Sequence, residues 1–110
     1  MRKGYSLVIL TLIATSSIAL TAFAQEQVDF TAYVHDGSLN GTALSGVQIT
    51  GQDALGNSFE GTTDSDGAAV ISGQPGTWQF SFAKEGYQTL NLSYNVTSTD
   101  YGDVYLQKST

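Results

Sequence analysis

The chain has 110 residues, no cysteine and ten carboxylates against four basic side chains, for a net charge of −6. This length holds one domain. The absence of cysteine excludes a disulfide scaffold, and with a single histidine it argues against a zinc centre. The scarcity of Lys and Arg leaves no basic face for nucleic acid.

The N-terminus reads as an export signal. Met1-Arg2-Lys3 is a short positive start, and an apolar run follows from Leu7 to Ala14, extended by Ile18-Ala19-Leu20. Ala22-Phe23-Ala24 then gives a small-x-small pattern before the polar Gln25-Glu26-Gln27. That order is a secretory signal peptide, helical in its apolar part, with cleavage expected after Ala24. It divides the chain into residues 1–24, the signal, and residues 25–110, the domain. The alternative is an uncleaved anchor, for which Leu7–Ala24 is near the lower limit of a bilayer span. In both cases the basic start stays inside and the remainder is exported. Cleavage leaves Lys84 and Lys108 against the ten carboxylates, a net of −8. The exported domain is then held by apolar packing and strand pairing alone.

From Val28 onward apolar residues alternate with polar ones, the period of a half-buried strand. Seven runs follow in order. Val28–His35 places Val28, Phe30, Ala32 and Val34 on one face. Val47–Asp53 places Val47 and Ile49 inward, Ser58–Thr63 carries Phe59, and Ala68–Ser72 carries Val70 and Ile71. Thr77–Lys84 aligns Trp78, Phe80 and Phe82. Thr89–Val96 aligns Leu90, Leu92, Tyr94 and Val96, and Asp103–Lys108 carries Val104 and Leu106. The predicted core is Phe30, Val34, Val47, Ile49, Trp78, Phe80, Leu90, Leu92 and Tyr94.

The segments between the runs carry turn chemistry. Ala54-Leu55-Gly56-Asn57 and Asp64-Ser65-Asp66-Gly67 stand where hairpin loops are needed, with glycines for positive φ. Gln74-Pro75-Gly76 has the order of a type II turn. Seven short strands with one apolar face each require a second sheet to cover that face. The expectation is an all-β, antiparallel two-layer sandwich, with a closed barrel as the alternative.

The order of the pieces resembles the carboxypeptidase regulatory-like domains. Leu44-Ser45-Gly46-Val47-Gln48-Ile49 is similar to that family's P-L-x-G-V-x-V entry, with Ala43 in place of its proline. Gly61 to Ala69 is similar to its T-x-T-D-x-x-G turn, Pro75-Gly76-Thr77-Trp78 to P-G-x-Y, and Lys84-Glu85-Gly86-Tyr87 to K-x-G-Y. The resemblance spans roughly residues 30–107. It implies a transthyretin-like (prealbumin-like), immunoglobulin-like seven-stranded Greek-key sandwich. It also implies a non-catalytic role in structure, adhesion or binding. In the K-x-G-Y turn, Gly86 lets Tyr87 fold back onto the sandwich edge, with its hydroxyl left for a partner.

Candidate chemistry is sparse. His35 is the only histidine, and alternation points it outward with Asp29, Thr31 and Tyr33. Its sequence neighbour Asp36 is badly placed to orient it, so His35 reads as an exposed loop-edge residue. Asp64 and Asp66 begin a D-x-D-G pattern, but no Glu completes a calcium loop, so no metal is expected and the segment reads as a turn. An intramolecular Lys–Asn bond is rejected, because the first run has no Lys and no Asn follows Asn95. Asn40, Asn91 and Asn95 begin N-x-S/T sequons. Tyr33 and Tyr105 alternate outward and Tyr101 is placed in a loop. They read as scattered surface aromatics rather than as a platform for sugars or a protein.

The functional expectation is a secreted or cell-surface, non-catalytic module without cofactor, taking a protein or carbohydrate partner. It has no membrane association once the signal is removed. The alternative is a small secreted hydrolase or carbohydrate-binding protein. The hydrolase would need a cleft with two carboxylates about 5–9 Å apart.

Overall fold

A computed structural model describes residues 26–110, and the expected signal segment lies outside them. The alternating runs form seven strands: β1 (Val28–Asp36), β2 (Gln48–Gln52), β3 (Ser58–Thr62), β4 (Ala68–Gly73), β5 (Gly76–Ala83), β6 (Leu90–Val96) and β7 (Asp100–Leu106). They make two sheets, ordered β4-β1-β7 and β3-β2-β5-β6. The inward residues of both meet in one core: Phe30, Ala32 and Val34 from β1, Ile49 from β2, Ile71 from β4, Trp78, Phe80 and Phe82 from β5, and Leu106 from β7. Burying each large side chain contributes about 1.5–3 kcal/mol. Aromatic rings dominate, with Phe80 within 5.4–5.9 Å of Phe30, Phe59, Trp78 and Phe82.

The sheets are not wholly antiparallel. β1 runs antiparallel to β4 but parallel to β7, in the register Thr31↔Tyr101, Tyr33↔Asp103 and His35↔Tyr105. No hairpin joins β1 to β7, so turn geometry does not impose an antiparallel pairing. The chain leaves the four-stranded sheet after Val96 and crosses to the other sheet through residues 97–99. There the Asp29 amide donates to Thr99 Oγ1 at 3.2 Å.

The turn Asp64–Gly67 is also not a sheet hairpin. β3 and β4 belong to different sheets, so this segment is a corner between layers. Locally it is tight: the Asp64 amide donates to Ala68 O at 3.0 Å and the Gly67 amide to Asp64 O at 2.9 Å. Gly67 has the expected positive φ, +74°, and a Cβ there would lie 2.9 Å from Val34 O. The Ala54–Asn57 loop does close a hairpin, β2 to β3.

A three-stranded sheet cannot cover a four-stranded one. The Thr63–Gly67 corner holds β4 beside β3, so the shortfall falls at β6. Tyr94 is accordingly not a core residue: it is 42% exposed, with its ring against Phe30 at 5.4 Å. Leu90 and Leu92 are half-buried rather than buried, because a groove opens between them and Val104 of β7.

Candidate functional site

The outer face of the β4-β1-β7 sheet gathers side chains that are far apart in sequence. Outward positions on β1 are Asp29, Thr31, Tyr33 and His35, and on β7 they are Tyr101, Asp103 and Tyr105. Tyr101 lies in β7, not in a loop, and its ring meets Tyr33 edge to face at 6.0 Å. Ser98 to Asp103 looks loop-like locally, with Asp and Gly disfavouring a strand, but pairing with β1 extends β7 back to Asp100. The alternation of 101, 103 and 105 was the sequence signal for it. Tyr105 stands opposite His35 and the exposed Val70 opposite Thr31, so Tyr105 shares the outer face with the Tyr33–Tyr101 pair without a ring contact to it.

His35 is more engaged than a loop-edge residue. Its Nε2 lies 3.0 Å from Asp103 Oδ1 and its Nδ1 3.3 Å from Gly41 O, with the side chain 20% exposed. The orienting acid is Asp103, not Asp36, whose carboxylate lies 3.7 Å from Lys108 Nζ. Both ring nitrogens face oxygens, so neither is left free to activate a nucleophile. Asp29 accepts from Ser72 Oγ at 2.6 Å across β1 and β4. The tyrosine face therefore carries two carboxylates and no lysine.

Beside this face lies the seam between β6 and β7. A groove of about 270 Å³ opens there, lined by Phe30, Phe80, Leu92, Tyr94 and Val104 among others. Four grooves of about 270–380 Å³ each carry at most one carboxylate: Asp103 in two, Glu60 in one and none in the fourth. No paired-carboxylate cleft forms in any of them.

The Asp64–Gly67 corner uses its carboxylate internally. Asp64 Oδ1 accepts from the Asp66 amide at 2.9 Å and the Ala68 amide at 3.1 Å. Among the described residues no three His, Cys, Asp or Glu side chains gather in a metal-binding group. Asn40, Asn91 and Asn95 are all exposed. The last two lie on the outer face of the four-stranded sheet, among Gln79, Ser81 and Ser93.

Two polar groups hold the ends of the sandwich, and the first of them, Asp53, was not singled out by the sequence. Asp53 is buried, yet it accepts from the amides of Leu55, Asn57 and Gln74 at 2.9 Å and from Asn57 Nδ2 at 3.1 Å. Burial alone would push its carboxyl up, but these hydrogen bonds outweigh it and hold the group below the usual carboxylate range. Gln74 O in turn accepts from Trp78 Nε1 at 2.7 Å, so one network ties the β2–β3 hairpin to the β4–β5 turn. At the opposite end Tyr87 folds back as expected, after Gly86 at φ +88°. Burial, with the hydrogen bond to Asp36 and that residue's charge, raises the Tyr87 hydroxyl above the usual tyrosine range.

Neither a protein-family model nor a curated protein matches this sequence. Among solved structures, the pilus 2b backbone protein of group B streptococcus superposes with TM-score 0.63 at 22% identity, over 76% of this chain and 42% of that one. The major pilin subunit BcpA of Bacillus cereus gives 0.59 at 19%, over 76% of this chain and 30% of that one. Chlorocatechol 1,2-dioxygenase of Pseudomonas putida gives 0.61 at 12%, over 76% and 61%. This chain thus spans less than two thirds of each. At these identities the likeness is one of fold: a two-sheet β-sandwich similar to domains of pilins, and compatible with a transthyretin-like arrangement.

Proposed function

We propose that this chain is a secreted or cell-surface, non-catalytic β-sandwich module of the carboxypeptidase regulatory-like kind. Its contact surface is the outer face of the β4-β1-β7 sheet. The observation that carries the reading is the gathering of Tyr33, Tyr101 and Tyr105 around the His35–Asp103 pair. Tyrosine joins a large apolar ring to a hydroxyl and is enriched where proteins bind partners. The basic and apolar N-terminus supports export, with cleavage after Ala24. A hydrolase is the weaker reading, because the His35 nitrogens are occupied and the grooves lack paired carboxylates. Carbohydrate is the second reading for the ligand, favoured by the exposed ring of Tyr101, which a sugar can stack on.

The test has two parts. The full chain is expressed and followed into exterior and membrane fractions, with its N-terminus read by mass spectrometry. An N-terminus at Gln25 outside the membrane is expected, and an intact Met1 in the membrane fraction would replace secretion by anchoring. The exported protein and its Tyr101→Ala/Tyr105→Ala variant are then compared on arrays of glycans and of basic and acidic proteins. Binding that the variant loses supports the tyrosine face. Binding that it retains in full moves the contact surface elsewhere.

A further inference from the structure

The three-stranded sheet ends at β7, and among the described residues no strand pairs with the outer edge of β7. The tail bonds back to residues 86–88, through the Gln88 amide to Gln107 O at 2.8 Å and the Ser109 amide to Gly86 O at 2.9 Å. That closes the seam at one end; at the other the Tyr101 amide donates to Asp100 Oδ1 at 2.8 Å, and the edge between Tyr101 O and Leu106 is left open. An open edge is a row of unpaired N–H and C=O groups, a template for another strand.

The next strand position is the one the sandwich lacks. A strand added to β7 would lie about 4.8 Å beyond it, where the four-stranded sheet overhangs. Its inward side chains would fall on the apolar groove over Leu92, Tyr94 and Val104. Its outward side chains would lie beside Tyr101, Asp103 and Tyr105. The edge of β6 is open too, but its outward neighbours are the neutral Asn91, Ser93 and Asn95.

Charge selects the occupant. The exported chain carries ten carboxylates against Lys84 and Lys108, and the latter sits beside Asp36, off this face. A second copy would bring the same negative charge, and no strand of this chain alternates apolar with basic residues. A cationic side chain meets a carboxylate and two tyrosine rings here, both favourable to it.

We infer that the open edge of β7 takes an extended segment of a partner polypeptide in which apolar residues alternate with lysine or arginine. The segment adds as a fourth strand to β4-β1-β7. Main-chain hydrogen bonds hold it, the groove takes its apolar side chains, and Asp103 with the flanking tyrosines takes its basic ones. The inference rests on the reading of the chain as a binding module.

The test uses the exported protein and synthetic peptides of alternating valine and lysine, long enough to span β7. Three control peptides are used: valine–glutamate alternation, the same valines and lysines in two blocks, and the valine–lysine peptide N-methylated at every second amide. Calorimetry measures binding, and amide hydrogen exchange maps it. The valine–lysine peptide is expected to bind and to protect β7 amides, more weakly as salt rises. N-methylation is expected to weaken it by roughly tenfold or more, since methylated amides cannot enter the ladder. Asp103→Lys is expected to weaken it to a similar degree, with its melt and spectrum checked against wild type. The inference is overturned if the valine–lysine peptide does not bind, if the methylated, glutamate or block peptide binds as tightly, or if protection appears only on β3, β4 or β6. Neutral oligosaccharide binding lost in Tyr101→Ala, without peptide binding, would overturn the added strand yet keep the binding module. Failure of the chain to leave the cell would overturn the module reading itself.

Discussion

His35 Nε2 and Asp103 Oδ1, 68 residues apart in sequence, meet at 3.0 Å and tie the first strand to the last. Because β1 and β7 run parallel, the pair is diagonal: Asp103 stands opposite Tyr33, and His35 opposite Tyr105. The contact fastens two strands that no hairpin joins and fixes the centre of the tyrosine face. Asp103 is 46% exposed, so solvent screens the pair and its contribution to stability is small. A double-mutant cycle with His35→Gln and Asp103→Asn should give a coupling of about 0.5–1 kcal/mol that declines with salt. Strictly additive losses would show that the two side chains do not support each other.

Core substitutions should follow the overhang at β6. Ile49→Ala, in the closed part of the core, should cost about 2–5 kcal/mol. Leu92→Ala, half-buried, should cost about 1–2 kcal/mol, since less apolar area leaves water there on folding. Chemical denaturation of the two variants measures the order directly. Equal losses would mean that another strand covers β6 in solution.

Asp53 should govern acid stability. Its folded carboxyl lies below the usual range, so the unfolded chain takes up the proton first as pH falls. The contribution is complete above the unfolded value of about 3.9 and is lost as pH drops through the folded one. Asp53→Asn would turn an amide N–H toward donors that now find a carboxylate, at a cost of about 2–4 kcal/mol at neutral pH. Melts from pH 7 to pH 2 should show a lower but flatter curve for the variant.

Tyr87 should act at the alkaline end. Its hydroxyl is raised, so the folded protein keeps this proton after the unfolded chain has lost it. The stabilisation is whole below about pH 10, the unfolded value, and is lost as pH rises through the folded value. Tyr87→Phe should remove that part of the alkaline decline while leaving the acid limb unchanged. A wild-type alkaline curve identical to the variant's would mean that Asp36 does not hold the hydroxyl.

The Asp64–Gly67 corner should behave as a turn, not as a calcium site. Asp64→Ala removes the carboxylate oxygen that accepts from two amides and should cost about 1–3 kcal/mol. Asp64→Asn keeps an acceptor oxygen and should cost less. Gly67→Val forces a β-branched residue to φ +74° against Val34 O and should cost more than either. Added calcium should leave the wild-type melting temperature unchanged. A rise that disappears in Asp64→Ala would assign the corner to cation binding.

What was legible in the sequence is what neighbouring residues decide among themselves. Strand periodicity is a two-residue property, so the runs around Phe30, Ile49 and Phe80 were placed within a residue or two. The positive φ of Gly56 and Gly67 followed from turn chemistry, and the inward faces of β1, β2, β5 and β7 from alternation, whereas the adjacent Val70 and Ile71 left the inward face of β4 undecided. Only the tertiary structure decided how the strands meet. Alternation reads the same in either chain direction, so it could not make β7 parallel to β1. It marks a face as apolar without saying whether a strand lies over it, so Tyr94 and Leu92 could not be told from Phe80. The pairing of β1 with β7 also brought His35 to Asp103 and Tyr33 to Tyr101, across a chain separation that no local pattern spans. Burial of Asp53 depended on the Gln74 amide, 21 residues away, arriving to receive it. Local propensity is set by backbone and side-chain sterics within a few residues. The outer face and the open seam are set by which strands the shared core forces to become neighbours.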